Sequence, residues 1–107
     1  MNAQFFQDNG TVTILVDEPR IDVQNADELR EILLDQIYNG HAHLLVDLRK
    51  VTFIDSSGLG ALVHGLREAH RKNGEVRVTG LSEHVSSMFT VTRLNKIFEI
   101  VPTNGTK

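Results

Sequence analysis

His43-Leu-Leu-Val-Asp-Leu-Arg-Lys-Val-Thr-Phe-Ile-Asp-Ser-Ser-Gly-Leu-Gly60 decides the fold. The first six residues are a near-continuous apolar run, the pattern of a central strand covered on at least one face and expected on both, and a good candidate for the middle of a sheet. Arg49-Lys50 turns the chain, and Val51 to Ile54 form a second short extended piece. Asp55, two serines and two glycines then precede a helical repeat that sets Leu59, Leu62, Val63 and Leu66 inward and His64, Arg67, Glu68 and Arg71 outward. Asn73-Gly74 ends that helix.

Working outward, Thr11 to Val16 is β-branched and alternates over its first half, which predicts a strand broken by Asp17-Glu-Pro-Arg20. Ile21-Asp-Val23 leads into a helix with Asn25 as N-cap, Glu28 in the capping-box position, an apolar stripe of Leu29, Ile32, Leu33 and Ile37, and Asn39-Gly40 as its stop. Beyond the central segment, Glu75 to Thr79 alternates as a half-exposed strand, and Gly80-Leu-Ser82 supplies a turn and an N-cap. Val85, Met88 and Phe89 recur at helical spacing, Ile97 to Val101 reads as a last strand, and residues 103–107 form a polar tail expected to fray. Alternating strands and amphipathic helices predict an α/β fold, with a mixed, largely parallel sheet of about four to five strands. A single domain is expected over residues 1–107, its core spanning about 4–102.

Composition narrows the function. The 107 residues carry a formal net charge of −3, with Lys and Arg dispersed, so there is no basic footprint for direct nucleic-acid binding. No cysteine is present, which removes disulfides, thiolate metal sites and cysteine nucleophiles. The N-terminus lacks the basic and apolar regions of a signal peptide, and no apolar run approaches the ~18 residues of a spanning helix, so a cytoplasmic protein without membrane insertion is expected. Asn9-Gly-Thr11 and Asn104-Gly-Thr106 match the glycosylation sequon but read better as Asn-Gly turns.

The site candidate is Asp55-Ser56-Ser57 at a helix mouth, where strands end and helices begin in sheets of this class. Helix capping accounts for one of the three residues. It leaves unexplained the adjoining hydroxyls, and the glycines Gly58 and Gly60 in a first turn where each costs ~1 kcal/mol relative to Ala. A phosphate on Ser56 would add about −1.5 to −2 charges at the positive end of a helix, a position the fold tolerates, while obstructing anything docked nearby. A serine nucleophile fits less well, because the elbow pattern requires Gly two residues before the serine, where Ile54 or Asp55 stands. His41-Ala-His43 lacks a third metal ligand, and Gly58-Leu-Gly60 is followed by Val63 where a dinucleotide loop needs Gly. No cofactor or metal is expected.

On these residues the chain resembles a STAS domain, and within that family the anti-sigma factor antagonists of bacterial partner-switching systems. The likeness rests on Arg20-Ile-Asp22 before Asn25-Ala26, Leu45-Val-Asp-Leu48, Val51 to Gly60, Val78-Thr-Gly-Leu81, and Thr92-Arg-Leu94 leading to Ile97-Phe98. It implies a non-enzymatic switch whose unphosphorylated form binds an anti-sigma factor that is also a serine kinase, releasing a sigma factor. The kinase would phosphorylate Ser56, with Ser57 the weaker acceptor, and a serine phosphatase would reset it. By the same resemblance Asp22, Asp55, Ser56, Ser57, Gly58, Leu59, Gly60 and Met88 fall on the partner-binding face. Pro19 stands where the family often has Gly, stiffening that turn while keeping the acid. A STAS subunit of a membrane transport complex, docked without phosphorylation, is the second role open to such a chain. A monomer is expected, with a weak dimer as the other state the sequence allows.

Overall fold

Asn9 and Gly10 both adopt positive φ, 51° and 84°. That is the backbone of a two-residue hairpin turn, and it folds strand β1 (Ala3–Asp8) antiparallel onto β2 (Thr11–Val16). The computed structural model describes residues 1–103; the expected frayed tail and the Asn104-Gly turn fall on or run into residues outside that range. From β2 the chain passes through a two-residue strand β3 (Arg20–Ile21), helix α1 (Ala26–Tyr38), β4 (His43–Asp47), a second two-residue strand β5 (Phe53–Ile54), and helix α2 (Ser56–Arg71). Strand β6 (Glu75–Thr79), helix α3 (Glu83–Val91), a single 3-10 turn (Leu94–Lys96) and β7 (Ile100–Val101) complete it.

The main sheet has five strands in the order β1-β2-β4-β6-β7, parallel throughout except for the β1–β2 hairpin. The mixed, largely parallel sheet expected from the sequence is therefore present, and the run from His43 forms its central strand. Leu44 and Val46 of β4 are fully buried, together with Ile14 and Val16 of β2 and Val76 and Val78 of β6. Against this face pack Leu29, Leu33 and Ile37 from α1 and Leu59, Leu62 and Leu66 from α2. Asp47, at the end of β4, is buried with its carboxylate on the Arg49 guanidinium at 2.9 Å and on the Arg49 N–H at 3.1 Å.

One strand was not expected from the sequence, and two local expectations need correction. β1 carries exposed residues on both faces, Phe5 and Phe6 among them, so its sequence has no apolar alternation to announce a strand. The last strand is shorter than Ile97 to Val101 suggests, because residues 94–98 close a tight turn with the Phe98 N–H donating to the Leu94 carbonyl at 2.9 Å. Phe98 is thereby buried edge-to-face against Phe89, ring centroids 5.6 Å apart. Finally, Asn25 precedes α1 but its side chain does not cap it. Its amide oxygen accepts from the Asp22 N–H at 2.9 Å and its amide nitrogen donates to the Arg20 carbonyl at 2.9 Å, while Glu28 pairs with the Met1 amino group.

Candidate functional site

The segment Val51 to Ile54 does not join the main sheet. Arg20 pairs with Phe53 and Ile21 with Ile54 in a separate parallel ribbon, extended by the Asp55 N–H donating to the Ile21 carbonyl at 3.1 Å. The Pro19 carbonyl accepts from the Thr52 N–H at 2.8 Å and the Thr52 hydroxyl at 3.1 Å, so the proline turn anchors one end of this ribbon. The ribbon delivers the chain directly to the first turn of α2.

Asp55 is the residue that caps. Its backbone is extended and its carboxylate accepts from the Gly58 N–H at 3.1 Å, satisfying one of the unpaired donors at the helix start. Ser56 and Ser57 are therefore the first two helical residues, free of the capping task. Ser56 is exposed and Ser57 half-buried.

The glycines divide by role. Gly58 is buried, and a β-carbon there would stand 2.6 Å from Ile54 Cγ1 and 2.7 Å from Ile21 Cγ2. Its missing side chain is what lets α2 lie on the β3–β5 ribbon. Gly60 is exposed with nothing within 4 Å of an added β-carbon. Leu59 is only 3% exposed and belongs to the core. Helical periodicity turns Gly58 and Leu59 inward and leaves Gly60 outside with the serines.

Asp22 stands beside the same ribbon, half-buried. Its carboxylate accepts from the Gln24 N–H at 3.0 Å and lies 3.5 Å from the Arg20 guanidinium, and its carbonyl accepts from Ala26 N–H at 2.8 Å. Met88 is half-buried on α3, packed against the core cluster.

Sequence reasoning missed a cluster that ties α3 to the site. The His84 ring stacks on Phe53 with centroids 4.9 Å apart and planes 15° from parallel, and one ring nitrogen lies 3.3 Å from the Ile54 carbonyl. The Arg20 guanidinium sits 4.3 Å from the centre of the same Phe53 ring. Met88 stands four residues after His84, one turn further along the same side of α3. An aromatic residue just ahead of Ile54-Asp55 was the signal available, but its partners are 31 and 33 positions away in sequence and no local spacing links them.

The arrangement offers an exposed hydroxyl at a helix N-terminus, flanked by Asp55. Among the described residues no group of three or more His, Asp or Glu converges as for a metal ion. No helix among them is long and apolar enough to cross a membrane.

The STAS domain profile matches residues 2–106, nearly the whole chain. The chain belongs to the STAS domain family. A relative is the anti-sigma-B factor antagonist of Staphylococcus aureus, 29% identical over 80 residues that cover 75% of this chain and 74% of that protein. A putative anti-sigma factor antagonist from Thermotoga maritima superposes with a TM-score of 0.84 at 20% identity, covering 95% of this chain and 86% of that one. The antagonist SpoIIAA in its unphosphorylated form gives 0.81 at 20% identity over 96% of this chain and 89% of its own. The Bacillus cell fate determinant SpoIIAA in its phosphorylated form gives 0.74 at 19% identity, with 96% of this chain and 92% of that one covered. At such identities the superpositions speak for the STAS fold, in agreement with the α/β architecture above.

Proposed function

We propose that this STAS domain is an anti-sigma factor antagonist, a binding protein whose unphosphorylated form holds an anti-sigma factor serine kinase and so frees a sigma factor, and which is switched off by phosphorylation of Ser56. The observation that carries this is the division of labour at the start of α2. Asp55 takes the cap, Ser56 is left exposed as the first helical residue, and Ser57 is half-covered. The S. aureus relative carries the name of an anti-sigma-B factor antagonist, and the SpoIIAA fold neighbour exists in phosphorylated and unphosphorylated forms.

The physical consequence of a phosphate at Ser56 follows from its setting. About −1.5 to −2 charges arrive where the helix dipole favours anions, so the fold accepts them. The Asp55 carboxylate is already engaged with the Gly58 N–H, so it adds like charge instead of a partner. A partner seated over Ser56, Ser57 and Gly60, with Asp22 and Met88 at its margins, then meets a bulky dianion on a surface that was neutral at that point. A serine phosphatase that removes the group restores the binding surface.

The test is phosphorylation by the cognate kinase with ATP, read by mass spectrometry. A single phosphate on Ser56 is expected, lost in Ser56→Ala. Binding to the kinase should persist in Ser56→Ala and fall at least tenfold, about 1.4 kcal/mol, in Ser56→Glu. Absence of phosphate from Ser56, or equal binding by both variants, contradicts the proposal.

A further inference from the structure

The two edges of the main sheet differ in kind. At one edge β7 is two residues long, too short to template another strand. At the other, β1 runs for six residues, Ala-Gln-Phe-Phe-Gln-Asp, without proline, lysine or arginine, and its only charge is Asp8 at the end. Phe5 and Phe6 are 48% and 53% exposed, one on each face of the strand. None of the usual devices that protect an edge is present in it.

The hydrogen-bonding parity of this edge can be read directly. In an antiparallel pair each residue points its N–H and C=O to the same side, and successive residues alternate sides. The Asn2 carbonyl accepts from the Asp17 N–H at 2.8 Å, so Asn2 faces β2, and with it Gln4, Phe6 and Asp8. The backbone groups of Ala3, Phe5 and Gln7 therefore point away from the sheet.

We infer that two copies of this chain pair through β1, antiparallel across a twofold axis, into one continuous sheet with five strands from each. A twofold perpendicular to the sheet keeps each face on its own side, so odd-numbered residues must lie opposite odd-numbered ones. Centred on Phe5, the pairing sets Phe5 against Phe5 of the second copy and Ala3 against its Gln7. Every outward N–H and C=O of Ala3, Phe5 and Gln7 then finds a partner. On the helix-bearing face the two Phe5 rings meet at the axis, an aromatic cross-strand pair, and on the opposite face Phe6 lies across from Gln4. Asp8 falls opposite Asn2, so no like charges are juxtaposed. The strand is thus complementary to itself in hydrogen bonding, apolar contact and charge, which singles out a second copy as its occupant. This pairing favours the dimer over the monomer expected from sequence, and it is independent of the Ser56 switch.

Sedimentation equilibrium from about 1 μM to about 1 mM, a range that spans weak to moderate affinities, tests the pairing. The mass should rise toward twice the 12.0 kDa of the chain. Phe5→Lys, which places a charge at the axis, and Gln7→Pro, which removes an outward N–H without touching the ladder to β2, should both stay at the mass of one chain with unchanged circular dichroism. Because the chain has no cysteine, the double variant Ala3→Cys/Gln7→Cys reports register. Its facing residues should lie about 5.5 Å apart between Cα atoms, within disulfide reach, and oxidation should give a covalent dimer that Phe5→Lys abolishes. A single-chain mass across the whole range, or a dimer that survives both Phe5→Lys and Gln7→Pro, overturns the inference.

Discussion

Ser56 and Ser57 carry the same hydroxyl, and position alone separates them: with Asp55 bonded to the Gly58 N–H, Ser56 lies outside and Ser57 is half-covered. The neighbouring glycines part in the same way, and a matched pair of substitutions exposes the difference. Gly58→Ala pushes a methyl into Ile54 and Ile21, and about 1–3 kcal/mol of overpacking outweighs the ~1 kcal/mol that alanine gains in a helix. Gly60→Ala meets open space and should raise stability by up to about 1 kcal/mol while weakening the docked partner, since it adds bulk on the exposed side. Urea unfolding of both variants checks the first effect, and partner titration of Gly60→Ala the second. A helix mouth crowded with small polar residues was legible at this stretch, and α2 begins there with Asp55 as its cap. That Gly58 faces inward follows the same helical period that buries Leu59, Leu62 and Leu66; how closely the helix lies on its neighbours there was not legible, because it depends in part on Ile21, 37 positions away from Gly58.

At the level of elements, the helices and the three longer parallel strands were readable because their apolar periodicity matches the faces they bury: Leu29, Leu33 and Ile37 on α1, alternating residues on β6, and the apolar run of β4. β1 escaped because an edge strand with both faces open has no alternation to show, and β3 and β5 because each is two residues long and exists only through the other. Asn25 was misread because its residue type suits a cap, whereas its side chain clasps the Asp22 loop from both ends. Asn25→Ser separates the two roles. Serine is as good an N-cap as asparagine, but it has no amide donor for the Arg20 carbonyl, so the clasp predicts a loss of about 1 kcal/mol where capping predicts none. Thermal unfolding against wild type decides it.

For the molecule as a whole, the proposed switch is a change of surface on a fold that stays put. The first turn of α2 rests on the β3–β5 ribbon through Gly58, and the ribbon is tied to α3 by the Phe53–His84 stack, so the acceptor is presented on packed structure. Phosphorylation should leave circular dichroism unchanged and shift unfolding free energy by less than about 1 kcal/mol, the helix dipole offsetting repulsion from Asp55. The most direct measurement is calorimetric titration of the anti-sigma factor kinase with this protein before and after stoichiometric phosphorylation of Ser56. Saturable binding by the unphosphorylated form, lost on phosphorylation with the fold intact, is the expected result; equal affinity in both states, or none in either, would contradict it.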